Sequence, residues 1–306
     1  MQIGVVYPQN ELGGDPTAVG QIGRCVEELG FDHLLAYDHV LGAVRDGRTP
    51  ELAGPYDEND PFHDPFVMFA YLAGITERLR FATGILILPQ RQTALVARQA
   101  ADVDLLSGGR LRLGVGVGWN YVEYGALGQD FVTRGAREEE QIGLLRQLFS
   151  EPVVDFSGRF DRVDRAALIP RPSAPVPIWL GGSSNAAYDR AARIADGFIF
   201  SSGDIEPAIS TLQQIHTQLA KHGRSKEDFG ADLVVSLGEG PGVPGGPGGL
   251  GGPGGAGGPG GLAQLVEMWS NAGGTHVTLA TMRHGFTSIE QHLDHIASAA
   301  ALLDLT

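Results

Sequence analysis

A single cysteine, Cys25, stands in 306 residues, which excludes an internal disulfide and a cysteine metal cluster. It falls at a helical position within Thr17–Leu29, where packing is its expected role. No apolar run approaches the ~18 residues of a spanning helix, so a membrane partner is not expected. No lysine- or arginine-rich cluster offsets a formal net charge of −14, and that charge repels phosphate backbones and anionic bilayers, against nucleic acid as a partner. The histidines include no HxH pair on the first strand, and His292 and His295 share a C-terminal helix with a solvated look, so no catalytic metal is expected. Met1-Gln2-Ile3-Gly4-Val5 enters a strand pattern without a basic segment before it, from which a cytoplasmic location is expected.

What is present is an alternation of strand and helix patterns. Arg80–Leu88 and Arg110–Val117 are nearly all-apolar strands joined through a helix at Thr93–Leu106, a βαβ unit with a glycine-loaded exit from its second strand. Further strands are predicted at Gln2–Tyr7, His33–Ala36, Pro177–Leu180, Gly197–Ser201, Asp232–Leu237 and His276–Ala280. Eight β/α steps in a chain of this length predict a (β/α)₈ TIM barrel, an α/β fold, as one domain over residues 1–306. In such a barrel ligands sit at the carboxyl ends of the strands, which marks Gly84–Gln92 and Gly114–Tyr121 as a binding face.

Three segments depart from the repeat. Val40–Phe62 is a long polar loop after the second strand, and Phe131–Arg171 is an insertion with a helix at Glu138–Phe149 and an extended piece around Val153–Phe160; both are expected over the catalytic face. In Gly238–Gly261, 20 of 24 residues are glycine or proline. Most of its triplets carry a second glycine, which removes the stiffness of a collagen helix, and the tract has no side chains for a core; a flexible loop between strand seven and a helix near Leu262 is expected.

Three motifs could carry chemistry. Asp38-His39 places a carboxylate and an imidazole at the carboxyl end of a barrel strand, where acid–base residues are found, although an Asp capping the next turn with the His packed on it would explain the pair. Gly114-Val115-Gly116-Val117-Gly118 lacks the register of a dinucleotide fingerprint and is explained by close strand approach; Trp119-Asn120-Tyr121 then adds stacking surface and hydrogen-bonding groups. Gly181-Gly182-Ser183-Ser184 opens the helix Ala186–Ala195, where free N–H groups and hydroxyls suit one phosphate or a plain serine cap.

Taken together, Asp38-His39, Ala82-Thr83-Gly84-Ile85, the run Leu106–Trp119, and Pro177-Ile178-Trp179-Leu180-Gly181-Gly182-Ser183-Ser184 followed by Ala195-Asp196-Gly197-Phe198 resemble the luciferase-like flavin/deazaflavin superfamily. More narrowly they are similar to its coenzyme F420-dependent oxidoreductases. The likeness runs from Met1 to about Ser202 and resumes at Thr275–Met282. It implies a non-prolyl cis peptide at Gly84–Ile85 behind the tricyclic ring, Asp38 contacting the ring edge and orienting His39, and His39 exchanging a proton with substrate during hydride transfer. It further implies that Gly181, Gly182, Ser183 and Ser184 hold the cofactor phosphate with Ser201 beside them, that Thr83 and Trp119 line the pocket, and that the protein is a homodimer.

Departures narrow the expectation. The sugar-phosphate dehydrogenases of this family carry an acidic residue directly after the strand-four glycine turn and a Trp shortly beyond the Asp-His pair; here Trp119 fills the first place and no Trp lies in Val40–Arg45, which disfavours hexose phosphate oxidation. Glu123, one helical turn on, could supply a carboxylate, but a solvent-facing place is the expected one. Arg91-Gln92-Thr93 replaces a stretch in which relatives often carry proline. The main expectation is an F420-dependent oxidoreductase acting on a small organic substrate. An FMN-dependent monooxygenase fed by a flavin reductase is the alternative, and a noncatalytic flavin or deazaflavin carrier is a third, against which the Asp38-His39 pair argues because storage needs no acid–base group.

Overall fold

The computed structural model describes residues 1–201, 205–236, 261–282 and 284–305. The part of the glycine–proline tract from 238 to 260 lies outside the described residues. In chain order the elements are β1 (Gln2–Val6), α1 (Pro16–Glu28), β2 (His33–Ala36), α2 (Pro65–Ala73), β3 (Arg80–Thr83), β4 (Leu86–Ile87), α3 (Thr93–Ser107), β5 (Leu111–Gly116), α4 (Tyr121–Ala126) and α5 (Arg134–Ser150). There follow β6 (Val154–Ser157), β7 (Arg162–Ala166), β8 (Ile178–Gly181), α6 (Asn185–Ile194), β9 (Gly197–Phe200), α7 (Ile205–Lys221), β10 (Gly230–Ser236), α8 (Gly261–Asn271), β11 (His276–Ala280) and α9 (Ile289–Leu302). All the expected strands form, with small shifts at their ends.

The strands close into an eight-stranded parallel barrel. β1 pairs with β2 and β11, β2 with β3, and the ring runs through β5, β8, β9 and β10 back to β11. β3 and β4 are two halves of one barrel strand, both paired to β5 and interrupted at Gly84–Ile85. Local chemistry sets the helix ends. Asp15 and Asp64 accept backbone N–H bonds at the starts of α1 and α2, each followed by proline in the first turn, and α3 stops at Gly108, whose φ of 71° suits a residue without a Cβ.

Period-two alternation divides the core into two shells. Leu34, Phe81, Leu113, Phe198, Leu233 and Leu279 face outward against the helices, and Val6, Leu35, Ala82, Trp179, Ile199, Val234 and Ala280 fill the lumen. Below that layer the lumen turns polar. Arg112 donates to Asp232 Oδ2 and lies 4.3 Å over the Trp179 ring, Thr278 donates to Asp232 Oδ1 at 2.8 Å, and His33 Nε2 meets Thr278 Oγ1 at 2.7 Å. His276 packs edge-on to Trp179 at 5.0 Å. Glycines make room for these rings: a Cβ on Gly4 would lie 2.3 Å from His33, and one on Gly230 1.9 Å from Trp179.

The C-terminal helix corrects one expectation. His292 is fully buried, with Nδ1 2.8 Å from Thr281 Oγ1 and Nε2 3.4 Å from Glu11. Burial, with His284 and His295 nearby, lowers its pKa to about 4. Among the described residues no cluster of His, Cys, Asp and Glu is arranged to hold a metal, and no helix is long and apolar enough to cross a membrane.

Candidate functional site

β2 ends by delivering Asp38 and His39 to the carboxyl-end face of the barrel, but it sends the two side chains to different partners. The fully buried Asp38 accepts from the Ile87 N–H at 2.9 Å and from Arg91 twice, at Nη2 2.6 Å and Nε 3.3 Å. Arg91 also reaches Asp64 at 3.2 Å, the residue that caps α2. Burial pushes the Asp38 carboxyl upward against the pull of Arg91. Burial also opposes the charge on Arg91, but the two carboxylates outweigh it and raise the guanidinium. The expected orientation of His39 by Asp38 is therefore replaced by an Asp38–Arg91 clamp between the β2 and β4 ends, and the Arg91 loop gains a definite role.

His39 is oriented instead by Glu123, whose expected exposure is also corrected. Its carboxylate is 0% exposed: Oε2 meets His39 Nδ1 at 2.8 Å, and Oε1 accepts from the Val40 and Leu41 N–H groups at 2.6 and 3.1 Å. Burial raises this carboxyl, yet the imidazole and the two N–H donors together hold it below its ordinary value. α4 presents Glu123 inward because Asn120 caps the helix by accepting from the Val122 N–H at 3.1 Å. The dyad couples residues 84 apart in sequence, a distance no motif spans. With Nδ1 engaged by the carboxylate, Nε2 is the ring nitrogen of His39 that Glu123 does not hold.

Three rings enclose the imidazole edge-on: Phe62 at 4.9 Å, Tyr56 at 5.4 Å and Trp119 at 5.5 Å. Neither Tyr56 nor Phe62 carried a motif; both arrive on the Val40–Phe62 loop. That loop is tied down by the Tyr121 hydroxyl on the Pro50 carbonyl at 2.7 Å and by Gly54, where a Cβ would lie 2.3 Å from Trp119.

The Gly84–Ile85 peptide is cis. Ile85 leans over β5 and β8, which carry glycine beneath it: a Cβ on Gly116 or Gly181 would come within 2.7 Å of its side chain. Thr83 is fully buried and its hydroxyl donates to the Gly114 carbonyl at 2.6 Å, so it clasps two strands together and offers no free hydroxyl to a pocket. Beyond β8, Gly182, Ser183 and Ser184 are exposed. Ser184 caps α6 through the Ala187 N–H at 3.2 Å, and Ser201 is exposed just past β9, the neighbour of β8. This edge holds a helix N-terminus, a glycine turn and hydroxyls together, the chemistry of an anion site.

The other insertion buttresses the same face. Glu140 of α5 accepts the N–H groups of Arg159, Phe160 and Asp161 at 2.7–2.8 Å, seating the β6–β7 hairpin, while Thr93 at the start of α3 donates to Asp161 at 2.9 Å.

Comparison with known proteins bears on the family and the fold. The model of the family "Luciferase-like monooxygenase" matches residues 1–241. An uncharacterized protein of Mycobacterium tuberculosis is 36% identical over 229 residues, 71% of this chain and 79% of the relative. An F420-dependent glucose-6-phosphate dehydrogenase of Nakamurella multipartita is 30% identical over 220 residues, 70% of this chain and 61% of the relative. An FMNH(2)-dependent dimethylsulfone monooxygenase of Pseudomonas fluorescens is 33% identical over 168 residues, 54% of this chain and 46% of the relative. The solved structure of an F420-dependent secondary alcohol dehydrogenase in complex with an F420-acetone adduct shares the fold, with a TM-score of 0.77, 15% identity, and coverage of 99% of this chain and 98% of that one.

Proposed function

The chain belongs to the luciferase-like monooxygenase family, and from that footing we propose that it is an F420-dependent oxidoreductase that moves a hydride between the deazaflavin and a small organic substrate. The observation that carries this reading is the buried Glu123–His39 pair at 2.8 Å, because a carboxylate-oriented imidazole at a barrel mouth is an acid–base group. The residues fit a phosphate-bearing tricyclic ring. Ile85, seated over Gly116 and Gly181, would back the ring, Trp119 would wall it, and Gly181, Gly182, Ser183, Ser184 and Ser201 would hold the phosphate. When bound, such a cofactor supplies or accepts the hydride. His39 Nε2 would give the proton to a nascent alkoxide or take it from an alcohol, Glu123 would stabilise the imidazolium that forms, and the Asp38–Arg91 clamp would keep the β2 and β4 ends in place.

A titration with F420 and FMN side by side tests the reading: F420 is expected to bind more tightly. Tighter binding of FMN would favour the monooxygenase alternative, in keeping with the FMNH(2)-dependent relative, and binding of neither would overturn both. On the same assay Ser183→Glu should raise the cofactor Kd by about five- to thirtyfold, the roughly 1–2 kcal/mol of an anion placed against another at a helix N-terminus, with the melting temperature unchanged. An unaltered Kd would remove the phosphate from this edge.

Glu123→Gln provides the test of orientation. The amide oxygen can still accept from Val40 and Leu41, but its NH₂ then faces Nδ1 and favours the Nε2–H tautomer. Turnover should fall about 10- to 100-fold, the effect of losing an outer partner that orients a working imidazole, with substrate KM little changed. Nitrogen NMR of His39 reads the tautomer directly, and a wild-type pattern in the variant would show that Glu123 does not set it.

A further inference from the structure

The walls around His39 also limit what can reach it. Any molecule hydrogen-bonded to this imidazole must lie against the rings that surround it, since Phe62, Tyr56 and Trp119 all have centroids within 5.5 Å of its own and its side chain is only 7% exposed. Tyr56 and Phe62 also meet each other edge-on at 4.9 Å and 77°, so they form one continuous wall. The wall is preformed. Glu123 holds the Val40 and Leu41 N–H groups, Ala43 and Leu52 are buried anchors, and Gly54 lies directly on the Trp119 ring.

The charges beside the dyad are already paired. Glu123 is taken by His39 and two N–H donors, Asp38 by Arg91 and the Ile87 N–H, and Arg91 by Asp38 and Asp64. The Val40–Phe62 loop carries five carboxylates against two arginines, a balance that repels anions. Its rim adds exposed Val40, Leu41 and Val44.

We propose that the substrate is an uncharged compound whose carbonyl or carbinol carbon is attached to a flat conjugated or aromatic system, and that Phe62 and Tyr56, with Trp119, select it. The proposal rests on the hydride-transfer reading above. In the reducing direction a hydride from the reduced deazaflavin forms the C–H bond with its electron pair, the carbonyl π pair moves to oxygen, and the proton on His39 Nε2 completes the O–H bond. Oxidation reverses each step. Aromatic walls favour a planar π substituent through edge and offset contacts over a saturated ring of equal size.

The test measures binding of three probes to the purified full chain, with and without F420, by ligand-observed NMR: acetophenone, cyclohexyl methyl ketone and phenyl phosphate. Acetophenone should bind about tenfold more tightly than either of the others, the combined effect of two or three aromatic contacts. Phe62→Leu, which keeps bulk and removes the π face, should erase the preference over cyclohexyl methyl ketone. Equal binding of the three, tighter binding of phenyl phosphate, or a preference that survives in both Phe62→Leu and Tyr56→Leu would overturn the proposal. If a variant fails to fold, the ranking on the unsubstituted protein decides alone. Failure of F420 to bind with the ranking intact would remove the hydride reading and leave the selective wall, whereas a lost ranking with F420 bound would remove only the wall.

Discussion

His39→Ala should lower turnover about 10²- to 10⁴-fold, the usual contribution of a positioned acid–base group, while F420 affinity stays within a few-fold. Two physical effects would be mixed in that variant. The imidazole leaves a gap among Tyr56, Phe62 and Trp119, and it strips Glu123 Oε2 of its partner while Oε1 keeps its two N–H donors. A buried carboxylate that loses a hydrogen bond destabilises the fold. His39→Gln separates the effects, because its amide can donate to Glu123 and fill much of the gap but cannot exchange a proton near neutrality. If His39 works as an acid–base group, both variants lose turnover and only the alanine loses stability. If it merely packs, the glutamine variant keeps its activity per folded molecule. Single-turnover oxidation or reduction of the deazaflavin, followed by absorbance, distinguishes the two outcomes.

The barrel was legible in the sequence because its strands are short apolar runs at regular spacing, and the site edges were legible where a glycine turn or a helix cap has its own local pattern. Ser184 belongs to that class, Asp38-His39 was read from its place at a strand end, and the cis bond at Gly84–Ile85 came from the family resemblance. Partnerships across the barrel mouth were not. Glu123 was expected in solvent because a lone acid on a short helix is usually solvated; what turns it inward is the cap at Asn120 and the two N–H groups of a loop more than 80 residues earlier. Asp38 was assigned to His39 by the family resemblance, but past the end of β2 the two side chains part, and the Asp38 carboxylate is taken by Arg91 and the Ile87 N–H. Tyr56 and Phe62 had no signal apart from their place in a long loop over the catalytic face. The polar lumen did leave one: Arg112, Asp232, His33 and His276 sit in otherwise apolar strands at inward-facing positions, the pattern of a network inside a closed barrel.

That network sets the second large effect, on stability. Asp232 is fully buried, and although burial works against its charge, Arg112 and His33 hold the carboxyl well below the usual carboxylate range. Asp232→Asn keeps the shape and one acceptor for Thr278 but leaves the Arg112 guanidinium buried over Trp179 without a counter-charge. Removing one partner of a buried pair costs about 3–5 kcal/mol, which should appear as a lower denaturant midpoint with an unchanged slope. A double variant, Arg112→Met with Asp232→Leu, should recover much of the loss, since two apolar side chains need no counter-charge. The same cluster sets the acid limit. Burial, then Arg112, lowers His276 to about 3, and burial lowers His33 and His292 as well. These imidazoles are neutral in the folded chain where the unfolded chain already binds protons. Their contribution is complete above the ordinary histidine value and is lost as pH falls from about 6.5 toward the folded values, at up to about 1.4 kcal/mol per pH unit for each group. Asp232, with its pKa lowered, adds loss only below the carboxylate range. The histidine contribution to the unfolding free energy should therefore fall as pH drops below about 6.5, offset in part by the buried carboxyls of Asp38 and Glu138, which burial raises, Glu138 to about 7. His276→Phe should make stability depend less steeply on pH below about 6.5 than in the unsubstituted protein; an identical pH dependence in the two would remove His276 from the acid limit.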